Sequence, residues 1–150
     1  MLERQDFTQC GEARLPAGTR VLIVEDNPIV AFTAGDMVEA IGGIAIAVEH
    51  SVEGALAACE RGGFDVAMLD MDLDGRSSAP VAAALGRLRL PFIVTTGHGP
   101  HGLPGFDDVP LLAKPYFTGE LQRALEAQMI AQPLDAGTSS ITSSSDSNRG

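Results

Sequence analysis

Four short apolar runs in this 150-residue chain each stop at a side chain able to do chemistry. Residues 21–24 (Val-Leu-Ile-Val) run into Glu25 and Asp26, and residues 66–69 (Val-Ala-Met-Leu) into Asp70. Residues 92–95 (Phe-Ile-Val-Thr) run into Thr96, and residues 111–113 (Leu-Leu-Ala) into Lys114. Apolar runs this short, bounded by turn signals, read as buried parallel strands. The segments between them carry apolar residues at helical spacing. Strand and helix signals that alternate in this way point to an open α/β sheet covered on both faces.

The strands are expected at 21–24, 44–48, 65–69, 91–95 and 109–113. Asn27 caps a first helix with Pro28 at its first position. Val30, Met37, Val38 and Ile41 recur on one face of that helix, and Gly42-Gly43 ends it. Ser51 caps a second helix carrying Ala55, Leu56, Ala58 and Cys59, which stops at Gly62-Gly63. Ser77 or Ser78 with Pro80 starts a third, running to about residue 88. A last helix begins at Thr118, with Leu121, Leu125 and Met129 on one face. Residues 97–110 hold four Gly and three Pro, poor helix material at about 1 kcal/mol per Gly and about 3 per Pro. Five βα steps of this size predict a doubly wound five-stranded parallel sheet, order 2-1-3-4-5, the flavodoxin-like arrangement. The fourth helix is expected to be short or irregular. Residues 1–18 read as a leader without its own fold, 19–131 as the folded domain, and 132–150 as a Ser-rich tail expected to be disordered.

A net charge of −10 with no Lys/Arg cluster argues against nucleic-acid binding through a basic face. No apolar stretch reaches the roughly 20 residues of a transmembrane helix. The first six residues hold no apolar signal core. Cys10 and Cys59 form no CxxC and no disulfide framework. A cytoplasmic protein with no membrane partner is the simplest expectation.

In an open α/β sheet the carboxyl ends of the strands meet at one crevice. Glu25, Asp26 and Asp70 would then converge there with Thr96 and Lys114. Acids beside a lysine and a threonine suit Mg²⁺ and an aspartyl phosphate. Each position has a bland alternative. Asp70 alone is an ordinary turn aspartate. Glu25 and Asp26 suit the N-terminal dipole of the first helix. Lys114 suits a plain ion pair with the acids. The register of four strand ends weighs against these alternatives taken together.

Five matching positions on four strands resemble the receiver domain of bacterial two-component response regulators. The resemblance covers about residues 20–129. It implies that Asp70 is the phosphoacceptor and that Glu25 and Asp26 bind Mg²⁺ with the backbone carbonyl of Asp72. It implies that Thr96, rather than Thr95, is the switch hydroxyl. It gives Lys114 to the phosphoryl oxygens, ahead of a peptide bond to Pro115 that is typically cis in receivers. The stretch Pro91-Phe-Ile-Val-Thr-Thr-Gly-His98, with Asp72-Leu-Asp-Gly75 and Pro80-Val-Ala-Ala-Ala-Leu85, is similar to a single-domain alphaproteobacterial subfamily. That subfamily has a Phe-Ala-Thr-Gly-type fourth strand and an altered or missing fourth helix. Two positions depart from the commoner pattern. Leu111 stands where many receivers carry an aromatic, and Asp74 where many carry proline.

Two other motifs compete. Asp70-Met-Asp72-Leu-Asp74-Gly75 opens like an EF-hand loop, but position twelve is Val81 instead of Glu. Asp70-x-Asp72 also resembles the first motif of haloacid-dehalogenase-type phosphatases. That motif normally sits on the first strand, and no acidic pair follows Lys114. His98 and His101 lack further ligands and read as solvated loop residues. The expectation is a single-domain response regulator, not an enzyme. It would be phosphorylated on Asp70 with Mg²⁺ by a sensor histidine kinase or a histidine phosphotransfer protein. Output would be protein–protein contact or phosphate-sink action. The rival is a receiver-like interaction module that is never phosphorylated.

Overall fold

The computed structural model describes residues 15–131, apart from 98 and 100. The expected leader up to residue 14, His98 and the Ser-rich tail lie outside the described residues. Five strands form one parallel sheet: β1 (Thr19–Val24), β2 (Gly43–Glu49), β3 (Val66–Asp70), β4 (Phe92–Thr96) and β5 (Leu111–Ala113). Their spatial order is β2-β1-β3-β4-β5, the doubly wound order expected. Four helices cover the sheet: α1 (Pro28–Ala40), α2 (Val52–Arg61), α3 (Ala79–Arg87) and α4 (Thr118–Ala131). No helix among the described residues is long and apolar enough to cross a membrane.

Strand alternation divides the core into two layers. Val21, Ile23, Val66, Met68 and Ile93 pack with α1 and α4. Leu22, Val24, Ala67, Leu69, Phe92 and Val94 pack with α2 and α3. Both faces of the central strands are buried, so these strands read as continuous apolar runs. Leu15 also sits in the α1 layer, and its N–H donates to the Ile41 carbonyl at 3.1 Å. Packing therefore begins ahead of residue 19.

The first helix meets expectation in part: Val38 and Ile41 are buried, but alanines share the buried face. Ala31, Ala34 and Val38 are buried, while Val30 and Met37 are only partly so. Ile29 and Phe32 are 76% and 72% exposed. Small alanines let α1 lie close to the sheet, which a search for large apolar residues overlooks. Asn27 caps it as expected, accepting from the N–H groups of Ile29 and Val30. Ser78 does not cap α3 through its side chain. Its hydroxyl donates to the Met71 carbonyl at 3.1 Å, and Ser77 accepts from the Ala79 N–H. Cys59 is a buried free thiol in the α2 core.

Among the described residues no helix joins β4 to β5, in line with the expected irregular fourth helix. The connection is held by apolar anchors. Leu103 is buried, and Phe106 meets Phe92 edge-on at 5.9 Å between ring centroids. The N–H of Phe106 donates to Leu103, and that of Val109 to Phe106.

Candidate functional site

The sheet order brings β1, β3, β4 and β5 to one edge with their carboxyl ends adjacent. Asp70 is the last residue of central β3 and pairs with Thr95, while Thr96 pairs with Ala113. Glu25 follows β1 directly, and its N–H donates to the Glu49 carbonyl at 2.9 Å. The Lys114 N–H donates to the Thr96 carbonyl at 2.7 Å, which fixes the lysine beside the end of β4. The Lys114–Pro115 peptide bond is cis.

Carboxylate oxygens of Glu25, Asp26 and Asp70 lie within 4.8 Å of one another. The Lys114 ammonium donates to Glu25 Oε1 at 2.8 Å and to Asp70 Oδ2 at 3.1 Å. Glu25 and Asp70 are both buried, at 5% relative exposure each. Two buried acids sharing one ammonium is a costly arrangement unless each charge is compensated. The imbalance shows in the proton affinities. Burial and the nearby Asp70 charge push the Glu25 carboxyl up to about 7, against the pull of Lys114 and the Asn27 N–H. Burial lowers the Lys114 proton affinity, but its bonds to Glu25 and Asp70 outweigh that and leave it raised. Asp26 is less buried. Burial pushes it up, yet the Asp74 N–H and the neighbouring Glu25 bring it net below the usual range.

These groups line a cavity of about 250 Å³ with Asn27, Val30, Asp72 and Gly97. Three hard oxygen donors converging with one cation at their side suit Mg²⁺, which takes carboxylates and keeps several waters. Asp72 borders the cavity, but its carboxylate is not one of the three that converge. Thr96 is buried at 1% exposure, one residue before cavity-lining Gly97. Thr95 is also buried and hydrogen-bonds through its carbonyl to the Met71 N–H at 2.8 Å.

Three features were not anticipated from the sequence. A groove of about 520 Å³ adjoins the cavity through Val30, Gly97 and Lys114. Its walls are Ile29, Val30, Thr33, Ala34 and Met37 of α1 facing Pro115 and Tyr116. Met37 was assigned to the core, and Tyr116 carried no signal of its own. The His50 Nδ1 lies 2.9 Å from the Glu25 carbonyl. Directly after Asp70, Asp72–Leu73 pairs antiparallel with Arg76–Ser77 in a two-residue hairpin. Asp74 and Gly75 form its turn with φ of 56° and 83°. Positive φ at both centres is the type I′ turn that Asp-Gly favours, so the signal was present in the sequence.

No family model and no curated protein matches the chain at a significant level. Solved structures do. SdrG from Sphingomonas melonis Fr1 is 38% identical, with a TM-score of 0.68, over 77% of this chain and 99% of that one. SdrG from Pseudomonas melonis Fr1 in its BeF3-activated conformation is 37% identical over the same shares, with a TM-score of 0.65. The receiver domain of a modulated diguanylate cyclase from Desulfovibrio desulfuricans G20 is 27% identical, with a TM-score of 0.66, over 76% of this chain and 95% of that one. Identity at this level over nearly the whole of SdrG, with a TM-score of 0.68, is decisive: the chain belongs to the family of response-regulator receiver domains.

Proposed function

We propose that this receiver accepts a phosphoryl group on Asp70 from a phosphohistidine of a sensor histidine kinase or histidine phosphotransfer protein. The observation that carries this reading is the Lys114 ammonium bridging Asp70 and Glu25 at the edge of the acid cavity. One SdrG relative is described in a BeF3-activated conformation, which supports a response of this chain to a phosphoryl-type ligand.

In this reading an Asp70 carboxylate oxygen attacks phosphorus. The phosphorus–nitrogen bond of the donor breaks, and the departing imidazole takes up a proton. Lys114 supplies a fixed positive charge to the phosphoryl oxygens, in a site already organised before transfer. Glu25 and Asp26 would hold Mg²⁺ together with Asp70 and the Asp72 carbonyl. Bound Mg²⁺ neutralises charge on the transferring group. The Thr96 hydroxyl then donates to the new phosphate and biases the end of β4. The protein turns over no other substrate. Output runs through protein–protein contact or through withdrawal of phosphoryl groups from a partner.

The apolar groove beside Lys114 suits the donor. A helix carrying the phosphohistidine would lay its apolar face between α1 and Tyr116 and place the phosphoryl group over Asp70. Incubation with a radiolabelled phosphohistidine donor and Mg²⁺ tests the reading. Wild type is expected to acquire acid-stable, hydroxylamine-labile label, and Asp70→Asn to acquire none while keeping its fold. Equal labelling of both overturns it.

An unphosphorylated interaction module is the second reading. Leu111 favours it, because this position packs against the apolar layer and offers no aromatic hinge to a switch. The phosphatase alternative finds no support, since Asp70 ends the third strand instead of the first.

A further inference from the structure

The short hairpin behind Asp70 is tied to the acid site at two points: the Asp72 N–H at its start donates to Asp70 Oδ1 at 3.4 Å, and its turn reaches Asp26. The Asp74 N–H donates to Asp26 Oδ2 at 2.8 Å, across 48 positions of sequence. The bond requires a residue with an N–H and a positive φ. Asp74 supplies both, whereas proline has no N–H and fixes φ near about −65°. The hairpin is in turn held from below. Leu73 is 1% exposed in the core, and Ser78 closes its base onto the Met71 carbonyl through both N–H and hydroxyl. On its outer side Arg76 pairs with Glu53 of α2 at 2.7 Å.

We propose that the 72–77 hairpin is a positioning element for the cation site, in which the Asp74 N–H fixes the Asp26 carboxylate for metal binding. Asp26 is the least buried of the three acids and has no bond to Lys114. Without the hairpin its carboxylate would sample several rotamers, and each ordered pose would cost side-chain entropy on binding. An oriented ligand with a satisfied outer partner binds metal more tightly than a free one. The inference rests on the reading of Glu25, Asp26 and Asp70 as a Mg²⁺ site. Asp74 acts through Asp26 and contacts neither metal nor phosphate.

The test is Mg²⁺ titration of the unphosphorylated protein, followed by amide NMR shifts at residues 25, 26 and 70. Asp74→Gly keeps the N–H and accepts the turn, and is expected to bind Mg²⁺ within about twofold of wild type. Asp74→Pro is expected to bind about 10–100-fold more weakly, the usual loss when an outer partner of a ligand is removed. Wild-type affinity in Asp74→Pro, or equal losses in both variants, overturns the proposal. Because proline also disrupts the turn, a second measurement uses the hairpin intact. The Asp74 amide is expected to be protected from hydrogen exchange in wild type, with and without Mg²⁺. Asp26→Ala should lower that protection by about tenfold or more and leave Leu69 unchanged. An unprotected Asp74 amide in wild type also overturns the proposal. If wild type binds no Mg²⁺, the site reading falls together with this inference. If it binds and Asp74→Pro matches it, only the inference falls.

Discussion

Of the connections that leave the sheet on the side of the acid cavity, those after β3 and β4 are built by opposite means. The 72–77 hairpin after β3 is short and largely exposed, and is organised by directional polar bonds to Asp26, Met71 and Glu53. The 97–110 connection after β4 has Gly and Pro where a helix would lie, and is anchored by Leu103 and Phe106 in the apolar layer. A hydrogen bond to a charged group fixes an orientation within narrow limits. Apolar burial is stronger in total and indifferent to direction. The protein thus orients one connection beside its charges and merely retains the other. The retained connection begins directly after Thr96, where a switch hydroxyl would act.

The largest expected effect belongs to the apolar anchor. Leu103→Ala should lower unfolding free energy by about 2–5 kcal/mol, the usual range for a buried leucine. Urea denaturation measures it, and Mg²⁺ binding should stay within about twofold of wild type, because Leu103 touches no ligand. A loss of less than about 1 kcal/mol would mean that the connection is not anchored there, and the contrast would collapse.

A smaller stability cost is expected in the hairpin. Gly75 holds φ of 83°, where an alanine side chain costs about 1–2 kcal/mol. Gly75→Ala should therefore cost less than Leu103→Ala in denaturation. It should nevertheless weaken Mg²⁺ binding, which Leu103→Ala should not. That crossing of effects sharpens the comparison more than either number does. Equal effects of the two variants on both readouts would remove it.

How much of this was legible in sequence depends on the kind of interaction. The three central strands were legible because both of their faces are buried, which leaves a continuous apolar run. The edge strands β2 and β5 were legible from short β-branched and leucine runs between turn signals. Glu25, Asp26, Asp70 and Lys114 were legible because strand order alone brings strand ends together. The buried face of α1 was partly legible: Val38 and Ile41 are buried as expected, whereas Ala31 and Ala34 carry too little apolar weight to mark themselves. Leu103 and Phe106 follow no period, so nothing marked them as anchors. Asp74-Gly75 was visible, but it was weighed as part of an acidic motif and as a departure from the commoner proline, not as a turn. Its partner Asp26 is distant in sequence, and no local rule links the two.

The two connections should also differ in their response to pH. The Glu25 carboxyl is pushed up to about 7 in the metal-free protein, chiefly by burial, against an ordinary value of 4.5. A raised carboxyl binds its proton more tightly in the folded chain than in the unfolded one. Its contribution to stability is present below about pH 4.5 and is lost as pH rises through about 7. Side-chain ¹³C NMR should show a Glu25 midpoint near 7, with Asp26 titrating below its ordinary value. Glu25→Gln should flatten the stability profile between these pH values. Side-chain methyl shifts of Leu103 should stay level throughout, since that side chain is buried in the apolar layer. A Glu25 midpoint near 4.5 would show that the site is wetter than its burial implies.

The smallest expected effect falls on the exposed ion pair of the hairpin. Arg76 and Glu53 keep 57% and 69% of their side-chain surface open to water. Solvent and salt screen such a pair, and holding two long side chains together costs entropy. Arg76→Ala should leave Tm unchanged within error, together with Asp74 amide protection and Mg²⁺ affinity. The hairpin keeps its two inner holds, buried Leu73 below and the Asp26 carboxylate above. A marked loss of Asp74 protection in Arg76→Ala would invert this order. The turn would then hang on α2, and movement of that helix would reach Asp26 through Arg76. Unchanged protection confines the hairpin's polar control to the bonds that touch the acid site, from Asp74 to Asp26 and from Asp72 to Asp70.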